Sequence, residues 1–255
     1  MPAIRLHSVS PLAADIPHVW QGHEMACAES KVVPTGFAEL DAELPGGGWP
    51  IGLVEVLQER PEQHVWQLTS PALSSLFVSE VGPTVLVSPP FDPFLPSLEA
   101  QGVAGSRLLS IRAARPAARL WAAEQALRCA EVTAVLAWLP QSRSSELRRL
   151  QISASQHSKL LFVFRTLSSL QDASPARVRI QVCGTEAIEL RILKRRGPPL
   201  QRAVILPGIP PRLEALLQAR RRRSTLVPAI QLPTQLSAAE AGRRVHVLDR
   251  IAAPG

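Results

Sequence analysis

Tyrosine is absent from this chain of 255 residues, and lysine and cysteine each occur only three times. Cys27, Cys129 and Cys183 lie far apart and form no C-x-x-C pair, which excludes a disulfide framework and a cysteine-based zinc site. The six histidines are scattered without an H-x-x-x-H or H-E-x-x-H spacing, so the helical metal-binding motifs are excluded too. No run approaches the roughly 18 to 20 apolar residues of a membrane span. The opening residues, MPAIRLHSVSPLAADIP, carry no basic flank followed by an apolar stretch, so a secretory signal is not expected and a cytoplasmic protein is. Neither a paired-carboxylate signal nor a Ser/His/Asp grouping at loop ends is present, which leaves an unrecognised enzyme without support.

The hydrophobic fraction of 46% is that of a globular protein, and the length allows one sizeable core with extensions or at most two small domains. Charge is unevenly placed. The chain carries +7 overall, but residues 211–255 hold eight arginines against Glu214, Glu240 and Asp249, a net of +5. The remainder is nearly neutral at +2. Arginine supplies 25 of the 28 cations, a bias that a GC-rich genome produces without any binding code.

Three segments follow from composition and period. Residues 1–30 have little periodicity and read as a loosely attached N-terminal arm, either a disordered leader or one with Ile16, Val19 and Trp20 in a short anchoring turn. Residues 31–207 read as an α/β core. Phe37, Leu40 and Leu44 recur at helical spacing before Pro45-Gly46-Gly47-Gly48 ends the helix. Leu53–Leu57, Thr84–Val87, Val132–Leu139 and Leu160–Phe164 are apolar runs of the kind buried in a mostly parallel sheet. Between them, Leu120, Ala123, Leu127 and Ala130 share one helical face, with Arg119, Glu124 and Arg128 outside it, and Leu147, Leu150 and Ala154 share another. Beyond Ala173 the period becomes two: Val178, Ile180 and Val182, then Ile188, Leu190 and Ile192, predict an antiparallel hairpin at the sheet edge. Residues 208–255 read as a basic, Pro/Arg-rich tail with a short helix.

One constellation points further. Thr35-Gly36 leads to Leu40-Asp41, then Gly46-Gly47-Gly48-Trp49-Pro50-x-Gly52, then Val54-Glu55-Val56. This order resembles the opening of a RecA-type recombinase core, in which a T-G-x-x-x-L-D helix and a glycine-rich turn lead into a strand and a phosphate loop. The resemblance spans roughly Val32 to Leu206 and includes the terminal hairpin. A phosphate loop needs G-x-x-x-x-G-K-[ST], because glycines let backbone N–H groups wrap the phosphates while Lys and Ser/Thr serve charge and magnesium. Here Gln58 to Gln67 contains no glycine and no Lys-Ser/Thr pair, Glu59 and Glu62 oppose phosphate, and Pro61 removes a donor. The strand that should end in a magnesium-supporting aspartate ends in Trp138. Pro89-Pro90 follow Ser88 where the resemblance implies a catalytic glutamate. Catalysis, a nucleotide and a metal are therefore not expected.

RecA-like cores of this length without a nucleotide loop resemble the ImuA family, proteins associated with SOS-induced translesion DNA synthesis. That resemblance implies a non-catalytic accessory protein acting beside RecA, ImuB and an error-prone replicative-type DNA polymerase. It also implies a cytoplasmic location, nucleoid-associated when in complex. Lys194, Arg195 and Arg196 match the family's basic motif at the end of the core and are candidates for contact with a partner or with DNA. In the tail, Leu213, Leu216 and Leu217 form an apolar stripe followed by Arg220, Arg221, Arg222 and Arg223, a second candidate surface. Trp66 and Trp138 read either as fillers of a vacated nucleotide cleft or as ordinary core aromatics. Two other functions remain open: a SulA-like inhibitor of cell division, and a DNA-binding protein driven by the tail.

Overall fold

The computed structural model describes residues 31–184, 187–207 and 218–219. The chain divides into two units, 1–215 and 216–255; of the second only Gln218 and Ala219 are described, both helical and exposed. The first unit runs β1 (Val32–Val33), α1 (Ala38–Asp41), β2 (Trp49–Pro50), β3 (Gly52–Gln58), α2 (Val65–Ser79), β4 (Thr84–Val87), α3 (Leu95–Ala100) and β5 (Leu108–Ile111). It continues α4 (Pro116–Arg128), β6 (Ala134–Trp138), α5 (Ser144–Gln156), β7 (Leu160–Thr166), β8 (Val178–Cys183), β9 (Ile188–Lys194) and β10 (Val204–Leu206).

Eight strands form one sheet in the order β10-β9-β8-β3-β7-β6-β4-β5, and β1 pairs with β2 in a small antiparallel ribbon. The six strands from β8 to β5 are mutually parallel; β9 and β10 are antiparallel additions. The central strands are buried on both faces, so alternate side chains enter two separate cores. Val54, Leu136 and Phe162 join α1 and α2 in one core, while Leu53, Val135 and Leu161 join α4 and α5 in the other.

The T-G-x-x-x-L-D residues turn out to be a packing device. Asp41 accepts from the Thr35 backbone N–H at 2.9 Å, and the Thr35 hydroxyl bonds to both Phe37 N and O at 3.1 Å. Leu40 is fully buried. Gly36 has φ +84°, and a Cβ there would stand 2.3 Å from Pro71 Cβ. Only glycine permits both that backbone and that approach between the loop and α2.

Four features depart from the sequence expectation. The hairpin of β8 and β9 is not the edge of the sheet, because β10 covers β9 through Val204↔Leu190 and Leu206↔Ile188. Three residues are too few to show a period. Helix α2 gives no clear sequence signal: Pro71 and the buried polar residues Thr69 and Ser70 break its apolar stripe. Helix α3 and strand β5 are equally silent, the latter because three of its four residues are exposed. On α4, Glu124 is buried rather than outside the helix face, since its carboxylate bridges Arg128 (2.7 Å) and Arg149 (2.5 Å), and Ala130 lies exposed beyond the helix end.

Candidate functional site at the carboxyl ends of the parallel strands

In parallel α/β sheets, ligands settle outside the carboxyl ends of the strands. Here that end of β3 runs through Gln58 into the loop 59–64 and then into α2, the place where the RecA resemblance implies a phosphate loop and the sequence lacks its residues. The loop is tied down by its own polar groups. Gln58 Nε2 donates to the Gln63 carbonyl (2.5 Å), Gln63 Nε2 donates to the Gly184 carbonyl (2.9 Å), and His64 Nε2 donates to the same Gly184 oxygen (2.9 Å). Because a carbonyl only accepts, Nε2 carries a proton in this contact. His64 Nδ1 lies 2.5 Å from Gln67 Oε1, and the residue itself sits at φ +54° just before α2. Glu59, Arg60, Pro61 and Glu62 are exposed on the outer side of the loop.

Trp138 closes the same end from β6. Its indole N–H donates to the Pro61 carbonyl at 2.9 Å, and its ring stacks on Phe164 of β7 with centroids 4.7 Å apart. The residue is 5% exposed. So an apolar ring with one donor stands where a carboxylate for magnesium would be needed, and that donor is spent on the loop. Trp66, by contrast, is half-buried on α2 against the first core. A nucleoside triphosphate does not fit these residues: the loop offers neither a glycine nest nor a lysine, and its nearest carboxylates, Glu59 and Glu62, repel phosphate.

Beside the indole lies a cavity of about 590 Å³, lined by Gln58, Pro61, Ser88, Trp138, Phe164 and Arg165 among others. Its polar groups are largely committed. The Ser88 hydroxyl bonds to Ala113 N (3.2 Å) and O (3.1 Å), which joins the ends of β4 and β5. Arg165 reaches Glu55 (2.8 Å), the Ser142 carbonyl (2.7 Å) and Asp172 (2.9 Å). Arg179 holds the other Glu55 oxygen at 2.9 Å, so one buried carboxylate on β3 is clamped from both neighbouring strands. No nucleophile–base pair lines this cavity, and no group of three or more His, Cys, Asp or Glu among the described residues could hold a metal ion.

The basic residues at the end of β9 are not equivalent. Lys194 is exposed and donates to the Ser174 carbonyl (2.8 Å). Arg195 is mostly enclosed, paired with Glu43 (3.1 Å) and donating to the Pro198 carbonyl (2.9 Å), so it anchors the strand end to α1. Arg196 is exposed. Leu213, Leu216, Leu217 and Arg220 to Arg223 lie outside the described residues, as do the N-terminal arm and most of the basic tail.

No family model matches this chain, and no curated protein matches it. No helix among the described residues is long and apolar enough to cross a membrane.

Proposed function

We propose that this chain is a non-catalytic accessory protein of error-prone translesion DNA synthesis, an adaptor for RecA, for ImuB and for the error-prone polymerase. The mostly parallel sheet ending in antiparallel strands is compatible with the RecA-like core that the sequence resemblance implies. The observation that carries the reading is the loop after β3, tied to Gly184 and stoppered by Trp138 through Pro61. A core that keeps the strand framework but ties the loop after β3 to its own groups, with neither glycine nest nor lysine, acts through its surface.

Two measurements test the reading. Fluorescent ATP titrated with magnesium onto the full chain shows no saturable binding at micromolar protein; saturable, magnesium-dependent binding refutes it. Affinity purification of the full chain from DNA-damaged cells recovers RecA, ImuB or the polymerase. Recovery of the cell-division GTPase instead would make the protein a division inhibitor.

A further inference from the structure

The small net charge of the chain before the tail hides a strong segregation. Residues 31–111 contain three Lys/Arg and nine Asp/Glu, whereas residues 112–165 contain nine Lys/Arg and only Glu124, Glu131 and Glu146 as acids. The second stretch is β6 and β7 with the two helices α4 and α5, which lie side by side over one face of the sheet. Its strands are buried, so most of its cations stand on the helices and the loops that enter them.

The outward side of that pair is unusual in what it exposes. Trp121 on α4 is 64% exposed and Ile152 on α5 is 49% exposed, although each helix has a complete buried face elsewhere. One turn from Trp121, Glu124 turns inward and binds Arg128 and Arg149 with its two oxygens, one guanidinium from each helix. A single carboxylate thus positions two cations, both more than half exposed, and each engages it through only one nitrogen. Arg148, next to Arg149 in sequence, is exposed, and its side chain makes no hydrogen bond among the described residues. Arg149 and Ile152 are three residues apart and share a helix face.

We propose that this outer face of α4 and α5, centred on Trp121 and edged by Arg128, Arg148 and Arg149, binds single-stranded nucleic acid. Arginines held in place before binding meet backbone phosphates with little further loss of freedom. An exposed indole offers a base the stacking surface that sequence-tolerant single-strand binding uses, and Ile152 adds an apolar margin. The segregated positive charge matches a polyanion. This surface does not include the loop after β3 or Trp138, and it does not rest on the adaptor reading.

The test uses the full chain and a fluorescein-labelled 20-nucleotide single-stranded DNA of mixed sequence, with affinity followed by anisotropy at several salt concentrations. Trp121→Ala should weaken binding about tenfold or more, the loss of one stacked base, while leaving the salt slope in place. Arg148→Ala with Arg149→Ala should lower that slope by about 1.4, at roughly 0.7 for each phosphate that is no longer neutralised. Replacing Arg220 to Arg223 with alanine removes any contribution of the tail, and the Trp121 effect should persist in that background. Quenching of tryptophan emission on saturation should be smaller in Trp121→Phe than in the wild type. Unchanged affinity in Trp121→Ala, a slope that responds only to the tail arginines, or equal competition by poly-glutamate overturns the proposal, the last pointing to an acidic protein surface instead. Because Trp121 is exposed, its variants should melt with the wild type, which keeps a loss of binding distinct from a loss of fold.

Discussion

Glu55 and Arg165 meet at 2.8 Å with their side chains 0% and 3% exposed, on adjacent parallel strands in the middle of the sheet. Both charges are cut off from water, and Arg179 completes the clamp from the other side. Removing one partner of such a set strands the others. Glu55→Ala leaves two guanidiniums buried without their carboxylate and should cost about 3–5 kcal/mol in urea unfolding. Asp172→Asn, at a half-exposed carboxylate on the rim of the same network, should cost less than about 1 kcal/mol. Equal effects of the two would show that Glu55 is not the centre of the network.

Trp138 is both packing and closure. Trp138→Ala removes a stacked, buried indole and should destabilise by about 3–5 kcal/mol. Trp138→Phe keeps the stacking on Phe164 but gives up the bond to Pro61, at a cost of about 1 kcal/mol. Glu59→Ala and Glu62→Ala, both exposed, should each stay within about 0.5 kcal/mol. Thermal melts of the four variants check the ranking; an unaltered melt for Trp138→Ala would mean that the ring carries no packing.

Gly36→Ala places a methyl group 2.3 Å from Pro71 Cβ at a left-handed backbone position. The backbone alone costs roughly 1–2 kcal/mol, and the clash adds to it. Expression with loss of cooperativity in the melt is the expected outcome. Gly47→Ala is the control, since nothing stands within 4 Å of that position although its φ is also positive. It should show the backbone part alone.

The end of β9 is held by a carboxylate whose protonation can be followed. Arg202 and Arg195 hydrogen-bond to Glu43 and hold its carboxyl below the ordinary range, against a smaller opposing effect of desolvation. A lowered folded-state value means that the pairing stabilises at neutral pH, and that this contribution is lost as pH falls through the carboxylate range. The melting temperature of Glu43→Gln should therefore lie below that of the wild type at pH 7. The two should converge as pH falls below the ordinary carboxylate value. A constant gap down to the lowest pH would assign the effect to packing.

Four of the legible strands, β3, β4, β6 and β7, are buried on both faces, and Thr84–Val87 reads as a continuous apolar run because nothing on it touches water, whereas β9 is legible by alternation, with Ile188, Leu190 and Ile192 buried between more exposed residues. Strand β5 is hidden for the opposite reason. It is an edge strand, and its apolar residues Leu109 and Ile111 are exposed. At the candidate site, the missing lysine and glycines can be read directly. What replaces them cannot, because the bond from Trp138 to Pro61 spans 77 positions and the pins to Gly184 span 120 and 121. The inward turn of Glu124 is invisible as well, since a carboxylate on a helix reads as solvent-facing until its two arginines are placed beside it.

The three residues of β10 decide where the chain can be cut. With Val204 and Leu206 buried against β9 and Ile205 facing out, they form the outermost described strand on one margin of the sheet. A truncation after Pro207 removes no described strand. One ending at Ala203 would bare the backbone of β9, with Ile188, Leu190 and Ile192 losing part of their cover. An uncovered strand of that kind is a template for pairing between copies. The shorter product should be recovered as aggregate where the longer one stays dispersed, so a boundary drawn about four residues apart separates a workable fragment from a self-associating one.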